Sequence, residues 1–297
     1  MKHWRLDDVD WGGFDGSRLD ARVLPLVKAA AMVERNGTDY AIYLKRVFAD
    51  DPAFCAAADT WAEEEVQHGE ALGRWAMLAD PDWDFRAAFA RYRAGFSIPL
   101  DATASVRGSR TGELIARCMV ETGTSSYYTA LADATAEPVL GRLCRLIAAD
   151  EYRHFKLFYD HMHRYLGRER LGFARRLVIA ALRARESEDD ELAFAYHCAN
   201  EPTSLPYGHA RCMRAYLGGA IGFYRRPHVA RGMAMICKTV GLKPHGKLCG
   251  LSTHLAWHAL GRQRRRYGGA ASGSATPPSS VRSSGAAATT ASRVSAP

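Results

Sequence analysis

Long hydrophobic runs are missing from this 297-residue chain. Its longest apolar stretches, such as LVIAAL at 177–182 and LGGAIGF at 217–223, are far shorter than the ~20 residues that cross a bilayer. The N-terminal segment MKHWRLDDVDW is mixed and acidic and lacks the basic start and apolar centre of a secretory leader. These features predict a soluble, cytoplasmic protein without a membrane span.

Cysteine pairs at metal-binding spacing are also missing. The seven cysteines are an odd number and form no Cys-x-x-Cys pair, which argues against a disulfide framework, a zinc ribbon and a rubredoxin-type iron. We therefore interpret them as small apolar side chains on helix faces.

Acidic residues are almost absent from the last third of the chain. Residues 201–297 hold 14 Lys or Arg and one acid, whereas residues 1–200 hold 26 basic and 31 acidic side chains. A basic end of this kind predicts an acidic partner, and the sign of the charge alone leaves nucleic acid, a membrane surface and an acidic protein open. The segment GRQRRRYG (261–268) has one aromatic residue and no interleaved stacking platform, so it argues against nucleic-acid binding and is typical of a basic helix end.

Strand-like alternation is nearly missing as well, and apolar residues recur at helical spacing instead. We predict an all-α fold with four long helices at 18–48, 52–78, 110–133 and 138–166 and a short helix at 84–95. Asp51 is the predicted N-terminal cap of the second long helix, with Pro52 in its first position. Further helices are predicted at 170–199, 207–224, 227–240 and 248–266.

The composition divides the chain into three parts. Residues 1–200 are predicted to form a helical bundle, and residues 201–267 a basic helical extension packed on it. Residues 268–297 are rich in Ala, Ser, Gly, Thr and Pro and cannot bury enough apolar surface to offset the entropy of ordering. We therefore predict a disordered tail there.

Each of the four long predicted helices carries a glutamate on its apolar stripe. Two of them add a histidine three residues later, in EVQH (65–68) and EYRH (151–154). Residues at i and i+3 project from one side of a helix. With 14 Glu and 11 His in the chain, about half a Glu-x-x-His match is expected by chance. Both matches follow another stripe glutamate, at spacings of 31 residues (Glu34 to Glu65) and 30 residues (Glu121 to Glu151).

This duplicated unit predicts a ferritin-like four-helix bundle with additional C-terminal helices. One Glu from each of two helices, plus Glu-x-x-His from each of the other two, is typical of di-iron and di-manganese carboxylate proteins. Four carboxylates balance the charge of two divalent ions, which removes most of the cost of burying them. Oxygen ligands with a few imidazoles suit iron or manganese better than zinc or copper(I). The predicted ligands are Glu34, Glu65, His68, Glu121, Glu151 and His154.

Two segments carry a family resemblance. WAEEEVQHGEAL (61–72) and IAADEYRHF (147–155) resemble the iron-binding stretches of the soluble acyl-carrier-protein desaturases, WTAEENRHGDLL and IAADEKRHE. The resemblance covers about half of the chain. It implies that Glu65 and Glu151 bridge two irons. It also implies that Glu34 with His68 binds one iron and Glu121 with His154 the other.

The resemblance also implies two residues that act beside the metal ligands. Asp150 would hydrogen-bond a ligating imidazole, although one helical step places it off the stripe, where an exposed charge is the alternative. Thr124 would lie beside the oxygen pocket, and its alternative is a hydroxyl bonded to its own helix backbone. The chain departs from the family at Phe155 and in the segment ETGTSSYYTA (121–130), which is more polar than an acyl-channel wall.

Three functions follow as hypotheses. The first is an O₂-dependent di-iron desaturase of an acyl chain held on acyl carrier protein, with an electron donor such as ferredoxin and a homodimeric assembly, as the resemblance implies. The second keeps the oxygen chemistry and replaces the substrate by a small polar or aromatic compound that is hydroxylated or N-oxygenated. The third is a ferritin-like or rubrerythrin-like iron-handling protein, against which the chain length and the missing Cys-x-x-Cys pairs argue.

Overall fold

The computed structural model describes residues 3–185 and 190–268, and this part of the chain is all-helical. The predicted all-α class is confirmed. The bundle region contains α1 (Leu24–Arg35), α2 (Gly37–Val47), α3 (Pro52–Ala79), α4 (Phe85–Gly95), α5 (Arg110–Ala134) and α6 (Pro138–Glu169). The rest contains α7 (Phe173–Arg185), α8 (Asp190–Asn200), α9 (His209–Ala220), α10 (Arg226–Val240) and α11 (Lys247–Gly268).

The two helices that carry the Glu-x-x-His motifs begin at strong caps. Asp51 accepts a hydrogen bond from the backbone N–H of Phe54 at 3.1 Å, as predicted for the start of α3. Glu137 does the same for α6, accepting from the N–H of Leu140 at 2.7 Å. Both helices then have proline in the first turn, where the missing N–H costs nothing. The predicted bounds of α3, α5 and α6 agree with the structure to within three residues.

The first long helix was predicted wrongly as continuous over 18–48. The helix starts only at Leu24, because Pro25 belongs to a first turn and the residues before it form short turns instead. It is interrupted at Asn36, which has φ −84° and ψ 4° and separates α1 from α2. Asn and Gly are both poor residues for a helix interior, and Asn36 and Gly37 stand together at this break.

The predicted helix at 170–199 is also divided. α7 ends at Arg185 and α8 begins at Asp190, and residues 186–189 lie outside the described ranges. The two helices pack against different partners, α7 against α5 and α10, and α8 against α1, α4 and α9. The apolar spacing alone could not separate them, because each half is amphipathic towards its own neighbour.

The four long segments form two helical hairpins. α1 and α2 pack against α3, α5 packs against α6, and α3 contacts α6 across the bundle. The helices of residues 201–268 cover this bundle, with α10 on α5, α9 on α8 and α1, and α11 on α10 and α9. Of the predicted tail, residues 269–297 lie outside the described part of the chain. No helix within the described ranges is long and apolar enough to cross a membrane.

The bundle interior consists of two apolar clusters with a polar layer between them. On α3 the chain passes from Trp61 in one cluster, through Glu65 and His68, to Leu72 in the other. The same order holds on α5, and the reverse order holds on α1 with α2 and on α6. The polar layer is therefore sealed above and below by packed side chains, chief among them Val27, Leu72, Trp75, Leu131 and Ile147 on one side and Leu44, Phe54, Trp61, Leu114 and Phe158 on the other.

Candidate metal centre

All six predicted ligands converge in this polar layer. They form two overlapping groups, in each of which one potential ligand atom per residue lies within 4.8 Å of the others. Every one of the six is at most 7% exposed. The first group is Glu34, Glu65, His68 and Glu151, and the second is Glu65, Glu121, Glu151 and His154. Glu65 and Glu151 are common to both groups, the position that the resemblance implies for bridging carboxylates.

The two imidazoles face the carboxylates through the same ring nitrogen. Nδ1 of His68 lies 3.2 Å from Oε1 of Glu151 and 3.5 Å from Oε2 of Glu34. Nδ1 of His154 lies 3.1 Å from Oε1 of Glu65 and 3.6 Å from Oε2 of Glu121. The motif on α3 and the motif on α6 therefore present equivalent atoms to the centre.

These central atoms lack hydrogen-bond partners although they are buried. Six of them have none: Oε2 of Glu34, Nδ1 of His68, both carboxylate oxygens of Glu121, Oε1 of Glu151 and Nδ1 of His154. A buried polar atom without a partner costs about 1–3 kcal/mol, so six in one place need a common explanation. A metal ion bound between them satisfies all six at once, and the residues present fit such a group.

The outer nitrogens of the two imidazoles contact acids from the opposite helix. Nε2 of His68 on α3 lies 3.0 Å from Oδ2 of Asp150 on α6. Nε2 of His154 on α6 lies 2.7 Å from Oε2 of Glu64 on α3. Such a contact fixes which nitrogen carries the proton and leaves Nδ1 free as a ligand. Asp150 is 2% exposed and lies in the polar layer, so the alternative of an exposed charge does not apply.

Sequence reasoning missed Glu64 as the counterpart of Asp150. The signal was present, because both motifs read acid-Glu-x-x-His, EEVQH at 64–68 and DEYRH at 150–154. In each motif the first acid precedes the shared glutamate by one residue. Its side chain is thereby turned away from its own histidine and towards the histidine of the other helix.

The N-terminal segment closes the outer side of this network. The indole N–H of Trp4 donates to Oδ2 of Asp150 at 2.7 Å. Nη1 of Arg153 lies 2.5 Å from the other oxygen of Asp150. Nδ1 of His3 lies 2.5 Å from Oε1 of Glu64. A surface cavity of about 250 Å³ borders these groups, so solvent reaches Glu64 while Asp150 and the inner ligands stay buried.

Two hydroxyl groups of α5 each donate a hydrogen bond to one carboxylate oxygen of a different predicted ligand. Tyr128 donates to Oε1 of Glu34 at 2.5 Å, and Thr124 donates to Oε2 of Glu151 at 2.5 Å. In both cases the second carboxylate oxygen is the unpaired one. Thr124 also contacts the carbonyl oxygens of Val120 and Glu121 at 3.3 Å, so the alternative of a hydroxyl bonded to its own helix backbone is seen alongside the contact with Glu151.

The electrostatic state of the imidazoles follows from their neighbours. Burial disfavours a charged ring, but the contacts of His68 with Asp150, Glu151 and Glu34 outweigh this and raise its pKa well above its usual value. The pKa of His154 is raised in the same way against burial, by its contacts with Glu121, Glu64 and Glu65. Protons and divalent cations therefore compete for the same nitrogen atoms.

The carboxylates divide into groups with opposite shifts. Burial, followed by the charge of Glu151, raises the pKa of Glu121 to about 8. Burial and the charges of Glu151 and Glu34 raise the pKa of Glu65 well above its usual value. Against the effect of burial, the contacts with His68 and His154 lower the pKa of Glu151 to about 2. Opposed shifts in one small cluster are typical of a functional site.

Two glycines allow the ligand-bearing helices to approach each other. A Cβ at Gly69, next to His68, would lie 2.4 Å from the backbone nitrogen of Arg35. A Cβ at Gly37 would lie 2.5 Å from the Cβ of Glu65. A side chain at either position would separate α1 or α2 from α3 and move the ligands apart.

A third group of potential ligands lies outside this layer. His197, Glu201 and Cys212 each have one potential ligand atom within 4.8 Å of those of the other two. Arg211 pairs with both oxygens of Glu201 at 2.7 Å, and Nη2 of Arg91 lies 2.6 Å from Nε2 of His197. Two arginines already balance these donors, so we interpret the group as an ion-pair network that ties α8 to α4 and α9.

The central clusters could therefore hold a metal ion, and Glu65 and Glu151 belong to both of them. Comparison of the chain with models of known protein families and with curated proteins found no match.

Proposed function

We propose that the chain is an O₂-dependent oxidoreductase with a dinuclear non-haem iron centre. The observation that supports this most strongly is the set of six buried, unpaired donor atoms on Glu34, His68, Glu121, Glu151 and His154. Glu65 would complete the set. When bound, two iron ions in such a site supply the capacity to activate O₂ and to oxidise an unreactive C–H bond.

The donor set favours iron over other common metals. Four carboxylates and two imidazoles are oxygen-rich and contain no thiolate, which suits iron, with manganese as the alternative. Four negative charges balance two divalent ions, so the loaded layer is neutral between its two apolar clusters.

The neighbouring residues would orient the ligands and exclude water. Asp150 and Glu64 would hold the imidazoles in the tautomer that exposes Nδ1. Thr124 and Tyr128 would fix one oxygen each of Glu151 and Glu34. The packed side chains on both faces of the layer would keep bulk water from the reacting atoms.

The first substrate to test is an acyl chain on acyl carrier protein. The two segments that resemble the desaturases support it, as does the basic C-terminal third, which is complementary to an acidic carrier. Incubation with NADPH, ferredoxin, ferredoxin reductase, O₂ and acyl carriers of several chain lengths should yield an unsaturated product. Unchanged acyl chains at every length would refute this substrate.

A second candidate, hydroxylation or N-oxygenation of a small polar compound, is favoured by a different observation. A groove of about 380 Å³ is lined by Ser125, Thr129, Asp133, Arg145, Tyr152 and Arg231 together with three alanines. The hydroxyl and charged side chains in this lining suit a polar compound better than an acyl chain. Product analysis with aromatic amines and amino compounds, under the same reducing conditions, tests this candidate.

The metal centre itself can be tested before any substrate is known. Purified protein loaded anaerobically with ferrous iron should bind two irons per chain, and after exposure to O₂ its Mössbauer spectrum should report a coupled pair. Glu65→Gln should bind less iron, because it removes a ligand common to both groups. Glu63→Gln is the matched control, since Glu63 is exposed on the same helix. A wild-type chain that binds no iron or manganese, or a control that loses as much as Glu65→Gln, would refute the proposal.

A further inference from the structure

Helices α7 and α11 expose an unusual share of large apolar side chains. Thirteen large hydrophobic residues are exposed in the described part of the chain, and seven of them belong to these two helices. On α11, Leu248, Leu251 and Leu255 are 59%, 56% and 60% exposed and stand at helical spacing, so they form one stripe. A contiguous exposed apolar surface of this kind marks an interaction site.

The second helix presents a comparable face beside it. Phe173, Leu177, Val178 and Leu182 of α7 are all exposed. α7 and α11 both pack against α10. Arg176 of α7 reaches Gly241, in the turn that leads from α10 to α11. The two helices that carry these exposed apolar residues therefore flank α10.

These three helices carry charge of only one sign. α7, α10 and α11 together contain 12 Lys or Arg and no Asp or Glu. The exposed cations of the two helices are Arg175 and Arg185 on α7 and Lys247, Arg262, Arg265 and Arg266 on α11. The surface of α7 and α11 is thus both apolar and strongly basic.

We propose that this surface binds an anionic lipid bilayer. Leucine and phenylalanine side chains with flanking cations are what an interfacial helix presents to acyl chains and anionic headgroups. A second copy of the chain does not fit, because it would bring the same six exposed cations against this face.

Flotation of the full-length chain with lipid vesicles tests this proposal. The protein should float with vesicles of phosphatidylcholine mixed with phosphatidylglycerol, and added salt should weaken the binding. The triple variant Leu248→Ser, Leu251→Ser and Leu255→Ser should lower the partition coefficient at least about tenfold. The matched control is Leu78→Ser, Val106→Ser and Leu205→Ser, which replaces exposed apolar residues elsewhere and should bind as the wild type does.

Several outcomes would overturn the proposal. The first is a wild-type chain that stays with the soluble fraction in the presence of these vesicles. The second is a triple variant that floats as well as the control while its thermal unfolding is unchanged. The third is an acidic carrier protein, or a second copy of the chain, that binds the wild type without lipid and loses this binding in the triple variant. None of these measurements depends on bound metal. A negative result would therefore refute lipid binding without bearing on the proposed oxidoreductase function.

Discussion

Replacing Gly69 with alanine is expected to separate the helices that carry Glu34 and His68. A Cβ at position 69 would lie 2.4 Å from the backbone nitrogen of Arg35 and 2.6 Å from its Cα. Ordinary contact between carbon atoms is about 3.5–4.0 Å. Because backbone atoms cannot rotate away, α1 must move from α3 by about 1 Å. Since Arg35 directly follows Glu34, the displacement reaches a predicted metal ligand.

The size of the effect follows from two opposed contributions. Overpacking of a tight helix contact costs about 1–3 kcal/mol, and the better helix propensity of alanine returns about 1 kcal/mol. The net loss is therefore at most about 2 kcal/mol, which lowers the melting temperature by up to roughly 4–8 °C. Metal sites tolerate ligand displacements of only about 0.2 Å, so the affinity for the first ion should fall about tenfold or more.

Thermal unfolding and anaerobic titration with ferrous iron measure the two effects. Gly123→Ala is the control, because no atom lies within 4 Å of a Cβ there although the position is two residues from Glu121. This variant should keep its metal affinity and unfold at the same or a slightly higher temperature. Unchanged melting and unchanged iron binding in Gly69→Ala, or an equal loss in Gly123→Ala, would refute the packing argument.

Two further predictions concern the outer acids and the protons of the site. Glu64→Gln should weaken iron binding by about 10–100-fold, because it removes the carboxylate that orients His154, and Glu63→Gln should not; equal affinities in titration would contradict this. The pKa of His68 is raised well above its usual 6.5, and the pKa of Glu121 is raised from 4.5 to about 8. The metal-free folded chain therefore binds protons that the unfolded chain has released at the same pH. This contribution to stability is lost as the pH rises from the usual pKa values towards the raised ones. Metal binding displaces these protons, so the gain in melting temperature from added iron should grow from about pH 6 to about pH 8. A gain that stays constant or shrinks would contradict the proton competition.

The helical class and the composition of the polar layer could be predicted from local patterns. The stripe residues Glu65, His68, Glu151 and His154 stand at helical spacing, and that spacing alone brings each pair to one face. The caps at Asp51 and the proline after it placed the start of α3 correctly. These features depend on interactions between residues that are close along the chain, so the sequence contains all the information needed to predict them.

The predictions were wrong or incomplete where contacts between segments distant in sequence determine the helix boundaries and the side-chain pairings. Asn36 and Gly37 are a local signal for the break between α1 and α2, but the close approach of Gly37 to Glu65 on another helix is a contact that nothing within 18–48 reports. The division of 170–199 follows from the different partners of α7 and α8. The pairing of Glu64 with His154, and of Trp4 with Asp150, joins residues 90 and 146 positions apart.

The sequence by itself determined which side chains share a helix face and that four such faces carry acids, because helical periodicity is a local property of the backbone. Only the tertiary structure decided which oxygen and nitrogen atoms meet, which of them remain unpaired, and that α7 and α11 leave their leucines uncovered. These outcomes depend on how helices distant in sequence pack against one another, and packing is a property of the whole fold.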